Sequence, residues 1–270
     1  MNFTDKNMTK KISRLFFFLF CVGILSAYGQ NSAKNIPFAA GEVLTYEGKL
    51  SRAIFRGMSV ADITFSLSDS PNDPNSFVVT SEASSKGSLP KLFNFSFLQK
   101  YESTFDKERF HILKTVKHDE QRSRVRDSEA VFDYEQGQVT YIETDPKDLM
   151  RPPRKIASAI REDTLDLISG IYYIRRLPLA VGKTFELSIS DSGFVYKVPV
   201  RVTARELQKS VLGKVWCFKI EPEVFGTNRL IEDDGEMMIW ITDDKRRIPV
   251  RSQIRTGIGK VDIKLKKAGK

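Results

Sequence analysis

From Phe38 to the C-terminus, apolar residues recur mostly at every second position, in runs broken by short turn clusters. No other feature limits the fold as strongly, because successive side chains on a strand point to opposite faces of a sheet. "VLTYEGKLS" (Val43–Ser51) and "MSVADITFSLS" (Met58–Ser68) alternate, "PNDPN" (Pro71–Asn75) turns the chain, and "SFVVTSEASS" resumes the pattern. The run beginning at Arg124 holds two alternating halves split by Glu135-Gln136-Gly137, where Gly137 can take the positive φ that a short hairpin loop commonly needs. "FVYKVPVRVTAREL", "KVWCFKIEPEVF", "EMMIWIT", "IPVRSQIRT" and "KVDIKLKK" continue the style to the end. Links this short imply antiparallel neighbours, since a parallel pair needs a crossover of about a dozen residues or more. The expectation is a mainly β fold: a curved antiparallel sheet or open β-barrel of about a dozen strands.

Two segments depart from alternation, and a third stands out for its aromatic residues. "PKDLMRPPRKIAS" (Pro146–Ser158) is rich in proline and base and reads as an exposed loop joining two halves. In "REDTLDLISGIYYIRRLP", Asp163 or Thr164 can cap a helix, Asp166 suits its first turn, and Pro178 follows its end. On a helical wheel Leu165, Leu167, Ile168, Ile171, Tyr172 and Ile174 leave a narrow polar strip, so a helix over about 163–176 is expected inside the sheet. In "LPKLFNFSFLQ", Phe93, Phe95 and Phe97 alternate and point one way, into a core or a cavity.

The N-terminus speaks to compartment. Lys6, Lys10, Lys11 and Arg14 precede the apolar run Leu15–Leu25, and Ala27 and Gly29 occupy small-residue positions before Gln30. This is the order of a secretory signal peptide, cut between Gly29 and Gln30. The run is too short for a bilayer span, which needs about 20 residues. Phe20 before Cys21 argues against lipidation. The expected layout is a signal peptide over 1–29, a short extension over 30–37 and one β-rich domain over 38–270, soluble and periplasmic. Without the signal, basic and acidic residues number 39 and 33. An excess this small and dispersed is unlike the basic face of a nucleic-acid binder.

Little catalytic chemistry is visible. There is no glycine-rich phosphate loop, no G-x-S-x-G, no H-E-x-x-H and no C-x-x-C. Cys217 alone remains after cleavage and reads as a buried strand residue, with no histidine close by. His111 and His118 would lie on opposite faces of one strand and make a poor metal set. Asp233 and Asp234, or Asp243 and Asp244, could each enter a carboxylate pair for hydrolysis, but neighbours on a strand diverge, so each would need a partner from elsewhere. "DDKRR" (Asp243–Arg247) reads instead as a charged hairpin tip, with Pro249 near the start of the next strand. No catalytic residue, metal or cofactor is assigned.

Three motifs, "F-x-x-G-E-x-L-x-Y" (Phe38–Tyr46), "D-x-x-S-x-x-Y-Y-x-R-x-L-P-L-x-x-G-K-x-F" (Asp166–Phe185) and "I-W-I-T-D-D-x-R-R-I-P-V-R" (Ile239–Arg251), together resemble a family of exported bacterial proteins known as domain of unknown function 3108. The resemblance implies a β-rich periplasmic protein and supplies no catalytic residue. The architecture is also similar to the open barrel of lipoprotein-carrier proteins, which wraps a helix and shelters acyl chains. The functional expectation is therefore a non-enzymatic binding or carrier protein of the envelope. Phe93, Phe95, Phe97, Tyr172, Tyr173, Trp216 and Trp240 would line a cavity for a lipid or other apolar ligand. An envelope scaffold that engages other envelope proteins is the alternative, and a carboxylate-dependent hydrolase stands behind both.

Overall fold

The computed structural model describes residues 36–52, 55–87, 96–257 and 259–269, of which Pro37 onward forms one compact unit. Its first half supplies β1 (Val43–Arg52), β2 (Phe55–Asp69), β3 (Ser76–Ser85), β4 (Phe97–Asp106), β5 (Ile112–Gln121), β6 (Arg124–Asp133), β7 (Gln138–Thr144) and β8 (Arg154–Ala159). After β9 (Thr164–Asp166) and helix α1 (Leu167–Arg176) come β10 (Thr184–Asp191), β11 (Phe194–Ser210), β12 (Gly213–Pro222), β13 (Gly235–Thr242), β14 (Pro249–Thr256) and β15 (Gly259–Gly269). These fifteen strands make a single sheet, whose spatial order runs back from β8 to β1 and then from β15 down to β9. The first and last strands thus pair at its centre, with Val43 opposite Gly269 and Gly48 opposite Ile263.

Every ladder is antiparallel except one: Thr164, Leu165 and Asp166 lie parallel to Ser188, Ile189 and Ser190. Register shifts at Thr45/Tyr46, Thr104/Phe105, Val202/Ala204 and Trp240/Ile241 mark bulges, which bend and twist the strands that carry them. The sheet curls until β8 meets the β10–β11 turn, where Ser158 Oγ donates to the Gly193 carbonyl at 2.7 Å. Gly193 has φ 85°, and a Cβ there would sit 2.8 Å from the Cβ atoms of Ile156 and Tyr141, so glycine permits the approach. Among the described residues no ladder joins β8 to β9, and the curled sheet remains open.

The mainly β, curved and open architecture is as the alternation requires, with two boundary corrections. The segment expected as a loop over 146–158 is loop only to 153, because Arg154–Ala159 pairs with β7. The helix begins at Leu167, later than expected, and its cap is Asp166, not Asp163 or Thr164. Asp166 accepts from the Ser169 amide at 2.7 Å while Ser169 Oγ accepts from the Asp166 amide at 3.0 Å, a reciprocal cap. Thr164–Asp166 stays extended because its backbone finds partners on β10, which the wheel cannot foresee.

Helix α1 fills the inside of the curl. Tyr172 meets Phe38 edge-on at 5.0 Å, and Phe38 in turn meets Phe77 and Phe110, each at 6.4 Å. Phe105 and Phe110 complete the cluster at 4.3 Å. Arg175 and Arg176 occupy the last turn, where cations oppose the negative helix end.

Candidate functional site

The centre of the molecule is a salt bridge that the sequence hides. Arg175, 2% exposed, points from the end of α1 to Glu42, with Nη1 and Nη2 donating to the two carboxylate oxygens at 2.6 and 2.8 Å. Its Nη2 also donates to the carbonyls of Pro37 and Arg246, at 3.3 and 3.1 Å. The guanidinium lies 5.0 Å from the Phe38 ring and 5.2 Å from that of Tyr172. One side chain thereby ties the start of the domain, the helix and the β13–β14 turn together.

That turn is built around Asp244. Its carboxylate accepts from Thr242 Oγ1 at 2.9 Å, the Arg246 amide at 2.9 Å and the Arg246 guanidinium at 2.6 Å. Thr242 Oγ1 accepts from the Ile248 amide, and Tyr46 Oη donates to the Pro249 carbonyl, both at 2.9 Å. Burial pushes the Asp244 carboxyl up, but the bonds from Arg246 and Thr242 outweigh it and hold the group below the ordinary range. A general acid requires the opposite shift. Asp243 is paired with Arg205 at 2.7 Å, while Asp233 and Asp234 lie exposed in the loop before β13. "DDKRR" is therefore a hairpin tip that presents the Arg246 carbonyl to Arg175.

Of the seven aromatic residues expected to share a cavity, the five that are described are not gathered in one place. Phe93 and Phe95 lie outside the described residues, and Phe97 opens β4 half-buried. Tyr172 is packed among Phe38 and its neighbours, and Tyr173 is half-buried against Phe110 at 5.5 Å. Trp240 belongs to a different cluster, with Leu44, Tyr46, Cys217, Met238 and Leu265, and its indole N–H donates to Glu206. Trp216 is 49% exposed and faces solvent, with the Arg205 guanidinium 4.5 Å from its ring. The β12–β13 ladder runs over Cys217–Ile220, so Trp216 lies just beyond its end, where the Asp243 amide donates to the Trp216 carbonyl at 2.8 Å. The β4–β7 end of the interior is polar. A hollow of about 20 Å³ there is bounded by Tyr101, Thr115, Lys117, Ser190 and Asp191. Burial, then the charges of Asp166 and Asp191, drive the Tyr101 phenol well above its ordinary range.

Cys217 is fully buried, and burial followed by Asp244, Glu206 and Asp243 pushes its thiol up to about 12, the signature of an unreactive residue. His118 lies on the sheet surface between Glu120, 2.8 Å from Nε2, and Asp127, 2.5 Å from Nδ1. His111 instead stacks on Tyr134 at 4.2 Å. Among the described residues no group of three His, Cys, Asp or Glu could hold a metal ion, and no helix is long and apolar enough to cross a membrane.

The large recesses are open and polar. One, of about 590 Å³, crosses β2–β5 and includes Asp62, Glu82, Lys100, Glu102 and His118. Another, of about 630 Å³, lies between β1, β14, β15 and the far end of the β11–β12 hairpin, and it is rich in lysine.

Comparison with known proteins follows the same outline. The model of DUF3108, a protein family of unknown function, matches residues 45–266. A β-barrel-like protein of domain of unknown function DUF1849 from Brucella abortus has a similar structure, with a TM-score of 0.59 at 12% identity over 85% of this chain and 97% of that one. A protein described as a candidate exported protein with YmcC-like fold, from Bacteroides fragilis, gives 0.39 at 9% identity over 88% and 100%. A candidate lipoprotein from Parabacteroides distasonis gives 0.33 at 9% identity over 87% and 99%. No curated protein matches this chain in sequence.

Proposed function

The chain belongs to the DUF3108 family, and from that premise we propose a non-enzymatic binding protein of the cell envelope that meets its partners on the polar surface of the sheet. The reading is carried by how the inside of the curl is used. Helix α1 fills it with Tyr172 and Arg175, 1% and 2% exposed, and Arg175 is held by four hydrogen bonds. Sites for apolar ligands are usually enclosed and lined mostly by apolar side chains. The two large recesses described above are open and lined mostly by polar and charged residues, and the five described members of the expected aromatic set are divided between separate clusters and the surface. The signal-like order of residues at the N-terminus supports a periplasmic location.

Native mass spectrometry of the protein purified from an envelope fraction, together with an apolar fluorescent dye, tests this reading. The expected result is a mass equal to the polypeptide alone and no dye uptake. A stoichiometric lipid would overturn the reading and favour an apolar-ligand carrier instead.

A further inference from the structure

The lysine-rich recess carries more charge than the fold needs. β15 alternates, so Lys260, Asp262, Lys264 and Lys266 fall on one face in steps of roughly 6.6 Å. On β1, Glu47 stands opposite Lys264 and Lys49 opposite Asp262, which are neutral cross-strand pairs. On the other side of β15, however, Arg251 stands opposite Lys264 and Arg255 opposite Lys260. Like charges directly opposite each other destabilise a sheet, and although Arg251 is paired with Asp262 and Arg255 with Glu236, Lys260 has no such partner among the described residues.

The two carboxylates of the recess are already shared. Glu47 lies 3.5 Å from Lys49 and 3.3 Å from Lys266, and Asp262 lies 2.6 Å from Arg251 and 3.4 Å from Lys264. Lys209 and Lys260 also line the recess, and neither has an ion pair among the described residues. Six cations therefore face two carboxylates, whereas the recess across β2–β5 sets Asp62, Glu82 and Glu102 against Lys100 and His118.

Shape narrows the occupant. Gln208–Val211 of the β11–β12 hairpin form one wall, and Val250 and Leu265 lie within the recess. A walled recess of about 630 Å³ has the size of a small-molecule site and suits a discrete ligand better than a flat lipid surface. Lysine ammonium groups are compact point charges that serve phosphate well. We propose that this recess binds a discrete ligand bearing two or more phosphate groups, with Lys209, Lys260 and Lys264 as its principal contacts. This proposal rests on the surface-binding reading above and deepens it.

The probe is inorganic tripolyphosphate, titrated calorimetrically into the chain beginning at Gln30 at low and at high salt. The expected result is binding that weakens with salt and falls roughly tenfold or more in the Lys260→Gln/Lys264→Gln variant. Lys260 has no ion pair among the described residues and Lys264 only an exposed one with Asp262, so that variant should stay folded, with a melting midpoint close to that of the parent. Lys155→Gln/Lys183→Gln removes two exposed lysines outside the recess and should bind as the parent does. Equal losses in both variants, or no binding at low salt, would overturn the proposal. So would flotation with phosphatidylglycerol vesicles in the absence of tripolyphosphate binding, since that outcome places the charge at a membrane surface. Failure of the surface-binding reading would show separately, as a co-purifying apolar ligand.

Discussion

Arg175→Met tests the buried hub most directly. The Arg175 side chain is 1% exposed and that of Glu42 12%, so the substitution strands a carboxylate in a largely dry setting. It also removes the donor to the Pro37 and Arg246 carbonyls. Breaking one side of a buried ion pair costs about 3–5 kcal/mol. In a domain of this size each kcal/mol lowers the melting midpoint by about 2–4 °C, so a fall of roughly 6–20 °C is expected. Replacing both partners by apolar residues removes the stranded charge as well as the pair. Glu42→Leu/Arg175→Met should therefore cost at least about 2 kcal/mol less than the sum of the single variants. Urea unfolding followed by far-UV circular dichroism and by the fluorescence of Trp216 and Trp240 supplies all four stabilities of the cycle. A cost below about 1 kcal/mol for Arg175→Met would be that of a solvated surface pair and would refute the reasoning. Additivity of the two substitutions would refute it equally.

Two further outcomes follow from titrating groups. With its thiol held near 12, Cys217 should stay unlabelled by a thiol-specific disulfide reagent at pH 8 in the folded chain beginning at Gln30, and react fully in guanidinium; rapid stoichiometric labelling of the folded protein would show that the site is open. Hydrogen bonds donated to Glu120 first and Asp127 second raise His118 above its ordinary 6.5, so its contribution is complete below that value and fades as pH rises through the folded one. His118→Gln should thus lower the melting midpoint more at pH 6 than at pH 9, and a gap independent of pH would refute the assignment.

The three family motifs supply no catalytic residue, and residues from each of them hold the fold together. Glu42 comes from the first motif, Arg175 from the second and the Arg246 carbonyl from the third, and they meet at one point. A helical wheel places Arg175 on the polar strip, because it counts only neighbours on the helix. The partner that allows this arginine to be buried is 133 positions away. Trp216 shows the converse. It shares the alternation of Phe218 and Ile220, which are buried, yet it lies past the end of β13 and is 49% exposed, with the Arg205 guanidinium against its ring. No local signal reports where a neighbouring strand stops.

Alternation, turn chemistry and the apolar run before Arg175 were enough by themselves to specify strands, short antiparallel links and one enclosed helix, because these depend on which side chains share a face. The pairing of β1 with β15, the parallel strand before the helix, the separation of the aromatic residues and the lysine-rich recess were decided only in three dimensions. Each arises where residues far apart in the chain are brought together by curvature and register, and a one-residue change in register would place every side chain of a strand on its other face.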